Sequence, residues 1–321
     1  MTASPRILSL LPSATEMICA LGLGEQLVGV THECDYPPPV RDKPKVVHSA
    51  LPIETMTERE IDDAVSARLR SGLGLYVLDL ELIERLRPDI IVTQDLCEVC
   101  APSENEIAQL LDFMSSKPRI LYQTPHRISE VLDNLDELGR ETDRRKEARA
   151  LIDDAHRRLD RIAEAMAGVR ERPRIFCMEW LDPIYCSGHW VPEMVRLGGG
   201  EDALGREGED SVRVEWSQML EWAPEIIVFM PCGYDLEETL ERAPALLSLP
   251  GFDDLPAARS GRVFAVDANS YFARPGPRVI DGAELMAHLI HPDRFGWDGR
   301  KDAYRRIAPL RTKQAAAMTA S

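Results

Sequence analysis

The chain has 321 residues, of which 44% are hydrophobic and 29% are charged, and its formal net charge is −16. This composition is typical of a soluble globular protein long enough for two domains, and it excludes a disordered chain. The acidic excess argues against a nucleic-acid partner and against an anionic membrane surface, since both attract concentrated lysine and arginine.

The first residues of the sequence and its cysteines are used to predict the cellular compartment of the protein. The apolar run Ile7–Leu11 is ended by Pro12, and it is shorter than the core of about 7–15 residues of a signal peptide. No later run approaches the roughly 18 apolar residues that a bilayer requires. Seven cysteines, an odd number that includes a Cys97-x-x-Cys100 pair, fit a reducing environment. We therefore predict a cytoplasmic protein without membrane insertion.

Short apolar runs alternate with amphipathic segments through the first part of the chain. The predicted strands are Ile7–Leu11, Leu27–Val30, Pro88–Gln94 and Arg119–Tyr122. The predicted helices cover Met17–Leu21, the middle of Ile53–Gly74, Leu80–Leu86 and Ser103–Met114. This β-α alternation predicts a mainly parallel sheet that is covered on both faces.

A charged segment near the middle of the sequence, Asp143–Ala167, predicts one long helix. Its apolar residues recur at helical spacing; they are Ala148, Leu151, Ile152, Ala155, Leu159, Ile162, Ala163 and Met166. A helix of this length spans on the order of 40 Å, more than one compact lobe needs. The segment therefore indicates a helix whose two ends serve different lobes, although periodicity alone fits a surface helix of a single domain equally well.

The β-α pattern begins again after this helix. The predicted strands are Arg174–Met178, Glu225–Met230 and Val263–Val266, and the predicted helices are Val191–Leu197, Trp216–Trp222 and Val279–Ile290. We predict an α/β fold of two Rossmann-like lobes with mainly parallel sheets, joined by a long interdomain helix. The predicted boundaries are 1–126 for the first lobe, 127–171 for the helical linker and 172–321 for the second lobe with a frayed tail.

Several stretches resemble one known family. They are Ser9–Glu16, Val28–Val30 with Asp35–Pro38, Arg87–Val92, Ser187–Gly188 and Phe272–Arg278. The resemblance is to the cobalamin-binding and iron-siderophore-binding proteins of ABC importers, and it is strongest to the cobalamin-binding branch, a class III, periplasmic-binding-protein-like group. It implies two α/β lobes joined by a rigid helix, with the ligand held in the cleft between them.

The resemblance also implies roles for particular residues. Tyr36, Trp216, Tyr271, Phe272 and Arg274 fall where the family places side chains that contact the corrin. Glu81 and a carboxylate near Glu221 fall where family members carry the acidic residues that dock on the transporter.

Metal-binding residue types gather in the loops that follow the predicted strands, where open α/β sheets bind ligands. The candidate metal ligands are His32, Cys34, Cys97, Cys100, His189 and Cys232, and the further candidate ligand-binding residues are Gln94, Asp95, Glu179 and Trp190. Thiolate and imidazole suit zinc, copper(I) or the cobalt of a corrinoid. Simpler roles remain open: the two cysteines of the Cys-x-x-Cys pair could be inert or redox-active thiols, and His32 could be a hydrogen-bonding loop residue.

The sequence contains no Gly-x-Ser-x-Gly elbow, Walker loop or His-Glu-x-x-His motif, which argues against an enzyme. We predict non-catalytic binding of a corrinoid (cobalamin-like) or related metal complex for uptake, salvage or delivery, with an ABC importer or a corrinoid-processing enzyme as the receiving partner. The first alternative is a metal-dependent enzyme or redox protein that uses zinc or iron in the His/Cys loops. The second is a protein that has lost its small-molecule ligand and keeps an interaction surface.

Overall fold

The computed structural model describes residues 4–94, 102 and 104–307. The chain divides into two compact units. Unit 1 comprises Met1–Ala155 with Pro275–Pro277, and unit 2 comprises His156–Arg274 with Arg278–Ser321. The three-part division predicted above, which sets the linker 127–171 apart from the lobes, stays a prediction.

Unit 1 alternates strands and helices. Its strands are β1 (Ile7–Ser9), β2 (Leu27–Thr31), β3 (Lys45–Ser49), β4 (Tyr76–Leu78), β5 (Ile90–Thr93) and β6 (Arg119–Tyr122). Its helices are α1 (Pro12–Ala20), α2 (Glu58–Arg70), α3 (Leu80–Leu86), α4 (Glu104–Phe113) and α5 (Ile128–Glu141), followed by α6 (Arg145–Ala165), which continues into unit 2. The described strands form one sheet in the order β4-β3-β2-β1-β5-β6, in which only the β3–β4 pair is antiparallel.

The apolar runs of unit 1 become strands that helices cover. Leu8 of β1 and Ile91 of β5 pair side by side and are fully buried, and they pack with Ile83 of α3 and Leu110 of α4. The chain leaves β1 for β2 on one side and returns to β5 on the other. This reversal of strand order creates the crevice at the carboxyl ends where such sheets bind ligands.

Unit 2 repeats the architecture. Its strands are β7 (Ile175–Leu181), β8 (Ile184–Cys186), β9 (Gly188–His189), β10 (Arg206–Glu207), β11 (Ile226–Phe229), β12 (Val263–Val266) and β13 (Tyr304–Arg306). Its helices are α7 (Val191–Leu197), α8 (Trp216–Trp222), α9 (Leu236–Leu247), α10 (Pro256–Ser260), α11 (Ala268–Tyr271) and α12 (Val279–Ile290). The main sheet among the described strands has the order β13-β12-β11-β7-β8, with a parallel centre and antiparallel edges, and β9 and β10 form a separate short ladder.

The core of unit 2 follows from the same pattern. Every residue of β11 and β12 is buried, as expected for strands with helices on both faces. Arg158 of α6 contacts the carboxylates of Asp281 and Glu284 on α12, the latter at 2.6 Å. This ion pair fixes the second half of the long helix to unit 2.

The predicted α/β fold with mainly parallel sheets is confirmed, with local differences. The long helix begins at Arg145 rather than Asp143, because Asp143 adopts a left-handed backbone with φ 58°. The hydroxyl of Thr142 instead closes α5 by donating to Leu138 O at 2.6 Å. The strands β3, β4, β8, β9, β10 and β13 and the helices α9, α10 and α11 were not predicted, and α5 was predicted only as part of the helical linker. Within the described ranges, no helix combines the length and apolar character needed to cross a bilayer.

Candidate functional site

The carboxyl ends of β7 and β11 meet at one edge of the unit 2 sheet, because the two strands pair in parallel. The backbone N–H of Cys232 donates to Glu179 O at 2.9 Å, and Cys232 is exposed. The rings of Trp180 and Tyr234 lie 5.7 Å apart at an interplanar angle of 55°. This edge therefore brings together a tilted aromatic pair, a carboxylate-bearing residue and a cysteine.

Among the predicted site residues that the structure describes, His189 alone has a left-handed backbone. It ends β9 with a φ of 51°, a left-handed conformation that is uncommon for a residue with a β-carbon and that concentrates at functional sites. Its Nε2 lies 3.0 Å from Asp210 Oδ1, and its ring centroid lies 5.5 Å from that of Trp190. A histidine with one ring nitrogen held by a carboxylate has the arrangement typical of metal-ligating histidines.

Two carboxyl groups lie beneath the segment that leads to His189. Glu179 accepts a hydrogen bond from Gly188 N at 3.0 Å, and Asp202 accepts one from the Ser187 hydroxyl at 2.7 Å. Burial raises the pKa of Glu179 to about 8 and the pKa of Asp202 to about 6. Desolvation therefore outweighs the hydrogen bonds, which favour the charged forms.

The predicted aromatic binding residues of unit 2 differ in exposure. Trp190, Tyr271 and Phe272 are buried, with relative exposures of 5%, 5% and 2%. The indole N–H of Trp190 donates to Phe272 O at 2.8 Å. Burial gives these three side chains a packing role inside unit 2, and their contact with a ligand stays a prediction. Trp216 and Arg274 are partly exposed.

In unit 1, the side chains of His32 and Cys34 make contacts within the unit. His32 Nδ1 lies 3.1 Å from Val47 O. Cys34 is buried, and its Sγ lies 3.1 Å from Thr15 Oγ1 and 3.3 Å from Thr31 Oγ1. The hydroxyls of two threonines thus surround this thiol.

Other polar and aromatic residues lie where the strands of unit 1 end. Tyr36, in the loop after β2, and Tyr122, at the end of β6, are 43% and 44% exposed. Gln94, directly after β5, and Gln123, directly after β6, are buried, at 7% and 2% exposure. The Oε1 atom of Gln123 is buried without a hydrogen-bond partner in the described part of the chain.

The predicted metal ligands do not form a group among the described residues. No three side chains of His, Cys, Asp or Glu in the ranges 4–94 and 104–307 lie close enough to hold one ion together. His32 and Cys34 belong to unit 1, and His189 and Cys232 belong to unit 2. Asp95, Cys97 and Cys100 lie outside the described residues, so the predicted metal set stays untested.

Several residues at the strand ends of both units and beside β9 were not predicted from the sequence. They are Tyr122, Trp180, Tyr234, Asp202 and Asp210. Tyr122, Trp180 and Tyr234 lie at the ends of correctly predicted strands or in the loops after them, so the strand-end rule could have found them. Asp202 and Asp210 lie between α7 and α8, where no periodic pattern indicates which side chains approach β7 and β9.

Known proteins resemble this chain over most of its length. The model of the periplasmic binding protein family matches residues 7–270. A vitamin B12-binding protein of Vibrio cholerae is 24% identical over 287 residues, which cover 89% of this chain and 88% of the relative. An uncharacterized ABC transporter substrate-binding lipoprotein of Bacillus subtilis is 26% identical over 295 residues, which cover 90% of this chain and 81% of the relative.

Solved structures agree with the sequence relatives about the fold. The periplasmic vitamin B12 binding protein of Vibrio cholerae superposes with a TM-score of 0.65 at 22% identity, covering 90% of this chain and 97% of that chain. A periplasmic haem binding protein from Pseudomonas aeruginosa superposes with a TM-score of 0.68 at 20% identity, covering 90% and 94%. The resemblance to the cobalamin-binding proteins of ABC importers is thereby confirmed.

The predicted cytoplasmic location is wrong. The relatives are periplasmic proteins or a lipoprotein, which work outside the cytoplasm. The prediction failed because it depended on ordinary composition, an odd cysteine count and the first residues of the sequence. None of these properties distinguishes an α/β domain that folds outside the cytoplasm from one that folds inside it.

Proposed function

Because the chain belongs to the periplasmic binding protein family, we propose that it binds a corrinoid of the cobalamin type and does not transform it. The vitamin B12-binding relatives support this ligand class over most of the sequence. The observation that carries the proposal is the carboxyl edge of the unit 2 sheet, where Trp180 and Tyr234 form a tilted aromatic pair and His189 is held by Asp210.

The chemistry of a corrinoid suits this edge. The corrin is a broad, largely apolar disc with amide arms, and the cobalt at its centre accepts an axial nitrogen ligand. Aromatic faces pack against such a disc, and a few polar groups fix its orientation. In the proposed complex Trp180 and Tyr234 contact the ring, Arg274 donates to an amide arm, and the imidazole of His189 faces the metal.

Unit 1 contributes residues of the same kinds at its own strand ends. Tyr36 and Tyr122 offer exposed aromatic surface, and the side-chain amide of Gln94 can both donate and accept hydrogen bonds. In the proposal these residues contact the same ligand class.

The proposed receiver of the ligand is an ABC importer, the kind of transporter with which substrate-binding proteins work. A corrinoid-processing enzyme is the alternative receiver. The metal-dependent enzyme is not favoured, since the family is one of binding proteins.

Calorimetric and spectroscopic titration tests the proposal. The purified chain is titrated with cyanocobalamin, cobinamide and haemin, and the heat and the visible spectrum are recorded at each step. We expect saturable binding of at least one corrinoid at a stoichiometry near one, with a Kd in the micromolar range or below and weaker binding of haemin.

Two outcomes would contradict this function. Absence of corrinoid binding at micromolar concentrations would remove the ligand class. Stoichiometric zinc or iron without a tetrapyrrole, found by elemental analysis after aerobic and anaerobic purification, would favour the metal-dependent protein instead.

A further inference from the structure

Two carboxyl groups hold the residues that directly precede His189. Oε1 of Glu179, on β7, accepts the backbone N–H of Gly188 at 3.0 Å, and Oδ2 of Asp202 accepts the hydroxyl of Ser187 at 2.7 Å. Two successive residues are therefore attached to two side chains from different parts of unit 2.

The other side of this segment is closed by backbone. A β-carbon added to Gly188 would lie 2.5 Å from Ser211 N, and one added to Gly205 would lie 2.6 Å from Ser187 Oγ. Gly205 also donates its N–H to Asp202 Oδ1 at 3.0 Å, and the side chain of Ser211 bonds to Glu179. The segment before His189 thus lies between the carboxyl groups and a close-packed loop.

His189 depends on such support, because its φ of 51° is unfavourable for a residue with a side chain. Its partner Asp210, whose side chain is 73% exposed, holds the ring but not the backbone that carries the ring. The backbone of His189 is also bonded, through its N–H to Glu209 O at 2.7 Å and through its carbonyl to Gly208 N at 2.8 Å. The position of the imidazole is therefore set mainly by the segment that carries it.

We propose that Glu179 and Asp202 are positioning residues of the ligand site, which hold Ser187–His189 so that the imidazole of His189 is presented to the metal of the bound complex. This inference rests on the proposed function, since it requires His189 to face the ligand. Outer-shell partners of this kind typically change metal affinity by about 10- to 100-fold when they are removed.

Variants that remove or keep the acceptor atom separate positioning from charge. Glu179→Ala and Asp202→Ala remove the acceptors of the Gly188 and Ser187 hydrogen bonds. Glu179→Gln and Asp202→Asn keep an oxygen acceptor at the same place and remove only the ability to titrate. Glu225→Ala is the matched control, because this carboxylate also accepts a backbone N–H in unit 2, from Arg174 at 3.0 Å, but it precedes β11 at the opposite end of the sheet.

Two measurements are made on each variant. The first is titration with diaquocobinamide, whose visible bands shift when imidazole coordinates its cobalt. We expect both alanine variants to bind about 10- to 100-fold more weakly and to lose the imidazole shift, whereas the amide variants and Glu225→Ala stay within about threefold of the wild type. The second is the NMR chemical shift of the His189 ring nitrogens in the ligand-free protein, assigned with His189→Gln, which should change in the alanine variants only.

The outcomes distinguish this inference from the proposed function. Wild-type protein that binds no corrinoid would overturn the function, while the ring shifts of His189 would still report on its positioning. Alanine variants that keep both the spectral shift and the ring shifts would overturn the inference, even when the wild type binds. If circular dichroism indicates that an alanine variant is unfolded, Ser187→Ala removes the Asp202 contact more gently and is judged by the same two readouts.

Discussion

The exposed tyrosines of unit 1 make a prediction at the scale of single residues. Tyr36 and Tyr122 present aromatic surface at strand ends, and stacking on a ligand ring is worth about 0.5–1.5 kcal/mol per aromatic contact. We expect Tyr36→Ala and Tyr122→Ala each to weaken corrinoid binding by roughly 2- to 12-fold, as measured by calorimetry.

Phe113 supplies the control for this pair. It is 50% exposed, but it lies in the last turn of α4, which leads toward the amino end of β6. Phe113→Ala should leave the Kd unchanged. Equal weakening by all three substitutions would mean that the tyrosines act through the stability of unit 1 and not through contact with the ligand.

The raised pKa of Glu179 predicts that the free energy of unfolding depends on pH. Its pKa is raised from 4.5 to about 8 in the folded protein by burial. Between these values the unfolded chain has lost the proton while the folded chain keeps it, so the stabilising contribution is complete below about pH 4.5 and is lost as the pH rises toward 8. Asp202 acts in the same direction between pH 3.8 and about 6. The combined loss is on the order of a few kcal/mol.

Urea unfolding of the wild type and of Glu179→Gln at pH 5, 6.5 and 8 measures this contribution. The glutamine does not titrate, so the unfolding midpoint of the variant should fall less steeply between pH 5 and 8 than that of the wild type. Parallel pH profiles for the two proteins would contradict the raised pKa.

At the residue scale, the sequence could indicate which loops carry the site but not which side chains point out of them. Glu179, His189 and Cys232 were predicted as loop residues because they follow apolar runs. The structure places Glu179 inside β7 and His189 at the end of β9, and Cys232 lies in the loop after β11. Trp190 was predicted from its place in a loop after a strand and Phe272 by resemblance, yet the indole N–H of Trp190 bonds to the carbonyl of Phe272 and both residues are buried. Such packing depends on residues that are 82 positions apart, which no local pattern can reveal.

At the scale of secondary-structure elements, the ion pair between α6 and α12 makes a testable prediction. Arg158 bonds to Asp281 and Glu284 of α12, and the side chain of Arg158 is only 25% exposed. Removing the arginine leaves two partly buried carboxylates without their cation, so we expect Arg158→Ala to lower the free energy of unfolding by about 1–3 kcal/mol. Urea unfolding followed by circular dichroism measures the change.

The same helix contains a control for this ion pair. Arg149 pairs with Asp153 at 3.0 Å, and its side chain is 74% exposed. Arg149→Ala should change the free energy of unfolding by no more than about 0.5 kcal/mol. If both substitutions have the same effect, helix propensity and not the contact with α12 determines the loss.

Strands were predictable where they are continuous apolar runs. The buried strands β5, β11 and β12 are continuous apolar runs, and they lie within or match the predicted ranges. Strand β3 reads Lys45-Val-Val-His-Ser49, with too few apolar residues to stand out from a loop. The start of α6 was predicted two residues early because Asp143 is acidic and precedes a periodic segment, whereas its left-handed backbone is imposed by the end of α5.

For the whole molecule, the restart of the β-α pattern was the most informative property of the sequence. It predicted two α/β lobes with mainly parallel sheets, and the two units have this architecture. The location could not be predicted, since it depends on transport of the chain and not on the physics of its fold. The ligand could only be narrowed to a class, because related α/β scaffolds hold different ligands through a few side chains.

The assignment of Pro275–Pro277 to unit 1 has a consequence for recombination between relatives. The chain enters or leaves unit 1 at Ala155, Pro275 and Pro277, and a β-carbon added to Gly276 would lie 3.3 Å from Glu16 Oε2. In a chimera with a single crossover after Ala155, residues 275–277 of unit 1 therefore come from the parent that supplies unit 2. We expect three-crossover chimeras that move residues 275–277 together with residues 1–155 to have higher melting temperatures than single-crossover chimeras of the same parents. Residues 1–155 and 275–277 should therefore be inherited together from one parent, although they are separated in the gene.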